Sequence, residues 1–574
     1  MQKAISDNVV LVAAGFALLL AVLTVLTSSV PYLDAADWGL LTRLPIFYWG
    51  GVATTVLTII FSLCNKSGLN VRNSLVVLLL IMIFLNIVPT LVEQPVGLSL
   101  MSLWPSSQAN QLVATGHITI GQSRLLMDYS AWPFSTIFTA ILMELTGLSV
   151  ITLAKWFPLF TVSLWGLLVF IILRKFLRPE YALVGVSLFL CGSWTRQQYF
   201  GPQSFAFIFY LLFIFLATKS PRFRFGVENR KFLALTLLVF IGAVFSHALT
   251  SLMVLLIMIS SYVLTYVFAR HEEIKNKSNL VFCLLCGTIV VSYTLFIASY
   301  FFKDAYSQLM DALNNIFGVP VISQLSRLPG SPFQQMTNMA TYALVFSLGI
   351  VSLIGLLHVM RKRSLPKTQL TFWIGMLLVL LFVSIMPYGG SEEGAFRAFI
   401  FGLPIFSLLS VYYLRNKPKV LALFFTFVFI VSIPALYGSD SYRLATPTEL
   451  QGAEFCSTYM QNNALLFYKF TTYVRYFDTS HRWIFSSLGR VPFLSYNVST
   501  TEANFKASNY IALSRDQVNY YDYYLGRNPF SDVDITGQPL LGRARIYDNG
   551  NFTIYSSNQT FPYDITNRTF PNNP

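Results

Sequence analysis

Residues 150–173 read VITLAKWFPLFTVSLWGLLVFIIL, and Arg174, Lys175 and Arg178 follow at once. As an α-helix these residues rise about 36 Å, enough to cross a hydrocarbon core of about 30 Å. The run is apolar on every face, so no stripe is reserved for water. The basic cluster that closes it favours the cytoplasmic side of a membrane. The pattern recurs along the chain, at 8–30, 46–64, 74–93, 181–194, 203–218, 232–246, 248–269, 280–302, 337–360, 368–387, 397–414 and 419–437. No stretch alternates apolar and polar residues in the manner of a barrel strand. The pattern predicts an all-α polytopic membrane bundle of about thirteen spans. Composition agrees: of 574 residues 55% are hydrophobic and 11% charged, whereas soluble domains are about a quarter charged. A soluble enzyme, a disordered chain and a coiled coil are excluded.

Charge sets the expected orientation. With the N-terminus inside, the cytoplasmic segments 1–7, 65–73, 174–180, 219–231, 270–279, 361–367 and 415–419 hold 21 Lys/Arg against 5 Asp/Glu, and the rest of the chain holds 18 against 20. This obeys the positive-inside rule. The net charge of +14 therefore faces lipid head groups and requires no nucleic acid. Residues 438–574 change to a polar composition without a span of membrane length. They predict a small extracytoplasmic α/β domain, after two N-terminal helices in 1–73 and a transmembrane module in 74–437. Four Asn-x-Ser/Thr sequons, at Asn497, Asn551, Asn558 and Asn567, fall in this domain, although Asn65 and Asn276 also start sequons inside. Thr446-Pro447-Thr448-Glu449 predicts a helix start, and Asn549-Gly550 between two β-rich runs predicts a hairpin. Cys283-x-x-Cys286 lies within a span and reads as core packing. The localisation expected is a cell membrane, multi-pass.

External segments hold the candidate chemistry. Loop 94–149 is long and ends in an apolar stretch, Phe134 to Leu145, too short to span; it predicts a helix lying in the interface with Tyr129 and Trp132 as anchors. The spans at 181–194, 203–218 and 232–246 are short. Such helices leave room for a water-filled recess, lined by Arg196, Gln197, Gln198, Tyr199, Gln203 and His247. Tight turns at head-group level are the alternative. Loop 388–396 carries Glu392 and Glu393 just before Arg397. This arginine either holds a phosphate through two parallel hydrogen bonds or pairs with Glu393 one turn away. Lys155 either neutralises a phosphate or snorkels. No Walker motif, zinc-ligand spacing, nucleophile elbow or dinucleotide glycine pattern is present. No cofactor is specified, no metal ligand is assigned, and a divalent metal stays open.

Several strings resemble the GT-C superfamily of integral-membrane glycosyltransferases. Gly116-His117-Ile118, then Asp128-Tyr129-x-x-Trp132-Pro133, then Thr146-Gly147-Leu148-Ser149 resembles the first external loop of prokaryotic members. Tyr199-Phe200-Gly201-Pro202-Gln203 and Ser246-His247-Ala248-Leu249-Thr250 resemble two further family segments, and Arg545-Ile546-Tyr547-Asp548-Asn549-Gly550 resembles a terminal strand pair. The resemblance implies transfer of a sugar from a polyprenyl-phosphate or diphosphate carrier to a glycan, lipid or protein acceptor on the outer face. The family's first-loop acid is absent: its place reads Ser106-Ser107-Gln108-Ala109-Asn110-Gln111. Asp128, the sole Asp of the long loop, is the candidate base, with Arg397, Arg196 and His247 around the phosphate; otherwise Asp128 anchors the interfacial helix. Gln198, Tyr199, Gln203, Glu392, Glu393 and Lys155 complete the expected substrate site. The Trp-Trp-Asp string of oligosaccharyltransferase catalytic subunits is also absent, which disfavours en bloc transfer to Asn. Three other functions stay open: a lipid-linked-glycan flippase or transporter, a polysaccharide polymerase or ligase, and a catalytically silent GT-C relative.

Overall fold

A computed structural model describes residues 2–28, 39–64, 69–92, 98–118, 129–193, 199–219, 230–268, 277–299, 331–362, 365, 367–385, 393–438, 444–460, 465–467, 476–477, 484–486, 510–519 and 543–557. In chain order the helices are α1 (Gln2–Thr27), α2 (Ile46–Cys64), α3 (Val71–Met82), α4 (Val88–Val92), α5 (Leu100–Thr115), α6 (Phe134–Thr146), α7 (Val150–Leu173), α8 (Pro179–Gly192) and α9 (Pro202–Lys219). They continue with α10 (Arg230–Ser246), α11 (Ala248–Phe268), α12 (Lys277–Phe296), α13 (Pro332–Lys362), α14 (Lys367–Ile385), α15 (Glu393–Leu414), α16 (Pro418–Tyr437) and α17 (Pro447–Tyr459). Each of the thirteen expected spans is a helix. Among the described residues eight are long and apolar enough to cross a membrane; the spans on α3, α8, α10, α12 and α14 are shorter apolar helices.

The helices begin and end where local chemistry dictates. Ser149 caps α7 by accepting the Thr152 N–H at 3.2 Å, and Pro179 occupies the first turn of α8, where its missing N–H costs nothing. One large buried cluster runs the length of the bundle, with Trp165, Trp373, Tyr48 and Tyr210 among its largest members. At Gly355 a Cβ would lie 2.4 Å from the Leu409 carbonyl oxygen, so α13 and α15 meet backbone to backbone. Between α3 and α4 lies a π-helical turn, Ile83–Ile87, followed by Pro89, which has no N–H to return to it. The hydroxyl of Tyr48 donates to the Phe84 carbonyl at 2.9 Å, and that of Tyr437 donates to the Leu85 carbonyl. Two neighbouring helices thereby satisfy groups that would be costly to leave bare in an apolar interior.

The long loop holds one helix that the composition conceals. α5 carries Pro105 inside it and a Ser/Gln/Asn-rich surface. α6 is the expected short helix: Ile137, Ile141 and Leu145 form an exposed apolar stripe, while Ser135, Thr136 and Thr139 face inward. Trp132 departs from expectation. It is 6% exposed and belongs to the main core, so it anchors the loop to protein rather than to the membrane interface. Tyr293 of α12 donates its hydroxyl to the neighbouring Ala131 carbonyl.

The C-terminal α/β domain contains a mixed sheet in the order β4-β3-β5-β7-β6. Here β3 (Leu465–Phe467) runs parallel to β4 (Ile484–Ser486) and β5 (Tyr510–Ser514), whereas β7 (Phe552–Ser557) runs antiparallel to β5 and β6 (Arg543–Asp548). The expected hairpin forms with Gly550 at φ 87°. The expected helix start at Thr446 is a full capping box with Glu449. Two ties join this domain to the long loop: the β1–β2 ladder, Leu98–Ser99 on Leu444–Ala445, and a 3.3 Å hydrogen bond from Asn110 Nδ2 to the Tyr476 hydroxyl. A second buried cluster seats the domain on the bundle, with Leu103 of α5, Ala154 and Phe157 of α7, and Phe200 and Phe205 packed with Leu450, Ala453, Phe552 and Ile554. The bundle therefore has a domain end and an opposite end.

Candidate functional site

At the domain end the chain turns sharply into α9. The Ser204 N–H and hydroxyl bond back to the Gly201 and Tyr199 carbonyls. The Tyr199 ring lies 2.7 Å from where a Gly201 Cβ would sit, which leaves only glycine that place. Phe200 and Phe205 then enter an aromatic cluster with Phe157, Phe134 and Phe138, at centroid distances from 4.5 to 6.2 Å. This packing holds the first turn of α9 rigidly, and with it Gln203.

A layer of rings lies one helical turn deeper. Phe207 meets Phe401 at 5.6 Å, Phe189 at 6.4 Å and Trp165 at 4.6 Å, and the Tyr210 hydroxyl donates to the Phe401 carbonyl at 2.7 Å. Counting four residues from Phe207 and Phe401 toward the domain end gives Gln203 on α9 and Arg397 on α15, each about 6 Å beyond these rings. Gly242 of α10 fits against the Phe209 ring, which brings the following turn, His247, within about one helical turn of the same height.

Their chemistry is specific. His247 caps α11: its Nδ1 accepts the Thr250 N–H at 3.4 Å and lies 3.2 Å from the Thr250 hydroxyl. Nδ1 is thereby the acceptor, and the ring proton is assigned to Nε2. Burial, and after it the positive charge of Arg397, lower the imidazole from 6.5 to about 3. The ring is neutral at physiological pH, and its Nε2–H has no partner among the described residues. Gln203 and Ser193 are 5% and 6% exposed, and Gln203 Nε2 and Ser193 Oγ are buried without hydrogen-bond partners among the described residues. A buried polar group without a partner costs about 1–3 kcal/mol. One guanidinium and one neutral imidazole N–H thus lie within electrostatic reach of each other, a pair that favours an oxyanion.

The whole architecture has known counterparts. The oligosaccharyltransferase of Archaeoglobus fulgidus aligns in its apo form with a TM-score of 0.52, and tethered through a disulfide to an acceptor peptide containing the NVT sequon with 0.50; both are 11% identical and cover 85% of this chain and 74% of that one. ArnT from Cupriavidus metallidurans in the apo state aligns at 0.43, with 11% identity over 79% of this chain and 93% of that one. The fold is that of the Archaeoglobus fulgidus oligosaccharyltransferase. No family model and no curated protein matches the sequence.

Within this fold the expected site residues divide. Arg397 lies within electrostatic reach of His247, Gln203 opens α9 toward the same end, and Tyr199 packs on the turn that leads into it. Lys155 is half-buried on α7, one residue from Ala154 of the domain interface. Asp128, Arg196, Gln198 and Glu392 lie outside the described residues, and Glu393 is described only as the first residue of α15. Among the described residues no three His, Cys, Asp or Glu side chains converge on a cation site, and all five cysteines are free thiols. Two features escaped sequence reasoning. Ser193 follows a helix end with no distinguishing neighbour, and the packing of Gly192 on Leu403 seats it deeper along α15 than Arg397. Asn110 acquires a role only through Tyr476, 366 residues away.

Proposed function

We propose that the protein transfers a sugar from a polyprenyl-phosphate-type carrier to an acceptor on the outer face of a membrane. The observation that carries this reading is a buried, neutral His247, its Nδ1 taken up by Thr250, within electrostatic reach of Arg397 at the domain end of a fold shared with an oligosaccharyltransferase. The charge asymmetry of the loops supports placing that end outside.

In this reading the acceptor hydroxyl attacks the anomeric carbon and forms the new glycosidic bond. The bond from that carbon to the carrier phosphate oxygen breaks, and its electrons leave with the phosphate. Arg397 offers two parallel N–H donors to the departing phosphate, and the His247 Nε2–H offers a third without adding a second buried cation. Preorganised donors over a dry floor act more strongly than donors in water. Asp128 is the proposed acceptor of the hydroxyl proton. Arg196, Gln198, Tyr199, Glu392, Glu393 and Lys155 are proposed to border the donor and acceptor.

The test is carrier binding. Purified protein in lipid nanodiscs is titrated with dolichyl phosphate and undecaprenyl phosphate. Saturable binding of either that weakens in both Arg397→Ala and His247→Phe supports the reading; binding indifferent to both substitutions removes this site from the donor phosphate.

A further inference from the structure

Two contacts of Tyr293 on α12 have no part in the proposed mechanism. Its hydroxyl donates to the Ala131 carbonyl, and its ring meets Phe245 of α10 at 5.1 Å and an interplanar angle of 63°. Ala131 ends the short 3₁₀ turn Tyr129–Ala131 of the long loop, and Phe245 lies two residues before His247. Tyr293, Ala131 and Trp132 are all buried in the main core. The edge-to-face ring pair sets the direction of the hydroxyl, because a tyrosine side chain has two χ angles and a rigid ring.

A second set of contacts places the same end of the loop independently. Phe134, the first residue of α6, meets Phe209 of α9 at 5.1 Å, and Gly242 of α10 fits against that Phe209 ring. Gly242 and Phe245 belong to the end of α10, and His247 follows its last residue, Ser246. Residues 131–134 are therefore held beside the end of α10 twice, through α12 and through α9. Asp128 stands three residues before Ala131 in the sequence, and three residues of chain span at most about 11 Å. The carboxylate proposed as base is thus tethered by a short chain to an anchor beside the turn of His247.

Packing on Phe245 needs only the ring, and a phenylalanine would fill that place. What the hydroxyl adds is a fixed point for the loop. We infer that Tyr293 is a positioning residue for the transfer reaction: it fixes the end of the long loop, and through it Asp128, to the helix pair that carries His247. The inference rests on the proposed transferase reading with Asp128 as base, and adds the residue that sets where the base stands. A misplacement of about 1 Å can cost about 10²-fold in rate.

The experiment uses full-length protein in the membranes of its own cells, which supply the acceptor, with labelled dolichyl-phosphate mannose and dolichyl-phosphate glucose as donors. Tyr293→Phe keeps the ring and removes one hydrogen bond. It is expected to lower kcat about tenfold and to leave the dissociation constant of dolichyl phosphate within twofold, a split that loss of folding does not produce. In the Asp128→Asn background the same substitution is expected to change kcat less than twofold, because a residue that acts by placing the base then has nothing to place. Hydrogen exchange of the purified variant, which needs no donor, is expected to quicken over 126–132 and to stay at the wild-type rate in α7. Wild-type kcat in Tyr293→Phe, losses that multiply in the double variant, carrier affinity that falls in step with kcat, or unchanged exchange over 126–132 would each overturn the inference. Full turnover in Asp128→Asn fails the base and the inference with it, whereas a wild type that uses neither donor fails the transferase reading itself.

Discussion

The guanidinium charge of Arg397 acts on the buried imidazole of His247, although 150 positions separate the two residues in the chain. The fold creates this relationship by bringing the start of α15 within electrostatic reach of the turn between α10 and α11.

The first prediction concerns acid. Folding lowers the His247 value from 6.5 to about 3, so between these values the folded protein binds fewer protons than the unfolded chain. The contribution to stability is complete above about pH 6.5 and is lost as pH falls toward 3. Thermal melting of wild type is expected to drop more steeply than that of His247→Gln between pH 6.5 and 4. Parallel curves would show that this imidazole does not resist protonation.

Arg397→Ala is expected to weaken carrier-phosphate binding by about 1.5–3 kcal/mol, the worth of a charge-assisted hydrogen bond. It also removes a repelling charge, so the acid transition assigned to His247 is expected to move to higher pH without reaching 6.5, because burial is the larger cause. Arg397→Lys keeps the charge and loses the fork; it is expected to leave the transition in place and still bind the carrier less tightly. Equal affinity in all three proteins would take Arg397 out of the donor site.

Much of this arrangement is legible in the sequence. The span read at 150–173 is α7 residue for residue, and 46–64 is α2, because an all-round apolar run has no other stable use than a buried or membrane helix. Thr446 and Asn549-Gly550 announce their cap and hairpin through local hydrogen bonding. The site is legible only in part. Arg397 and His247 stand out as polar residues at span ends, but their meeting depends on which helices pack together. Ser193 has no local signal at all. Helix α5 is hidden by Pro105 and by polar residues whose partners lie in the C-terminal domain, and the parallel pairing of β3 with β4 and β5 has no turn to announce it.

The domain seat is predicted to depend on Phe205, which contacts Phe134, Phe138, Phe157 and Phe200 at centroid distances from 4.5 to 6.2 Å. Phe205→Ala is expected to cost about 3–5 kcal/mol and to loosen the long loop and the C-terminal domain together. Limited proteolysis reads this as faster cleavage in both regions. Protection equal to wild type would mean that the β1–β2 ladder and the Asn110–Tyr476 bond suffice without the aromatic cluster.

Orientation is open to a direct test. The loop charges lead us to expect the C-terminal domain outside, so a single reporter cysteine introduced as Ser557→Cys, with exposed Cys64 replaced, is expected to react with a membrane-impermeant maleimide on intact cells. Cys456 of the same domain is fully buried, and burial pushes its thiol up, so it contributes little background. Labelling that appears only after permeabilisation would invert the topology and place the Arg397–His247 level on the cytoplasmic side.

The boldest prediction is that Asp128 is the base. It is the sole Asp of the long loop and lies in the sequence just before α6. Asp128→Asn preserves size and hydrogen bonding but cannot take up a proton, so turnover is expected to fall about 10²–10⁴-fold, the usual worth of general base catalysis. Carrier binding is expected to change little, since the phosphate partners lie elsewhere. Asp128→Ala should be no slower in the chemical step, whatever it does to the loop. A purely anchoring Asp128 predicts the reverse order, with Asn nearly as active as wild type and Ala losing stability. The comparison of kcat with the carrier dissociation constant across the three proteins separates the two roles. Full turnover in the Asn variant would sink the assignment and turn attention to Glu392 and to Glu144 on α6.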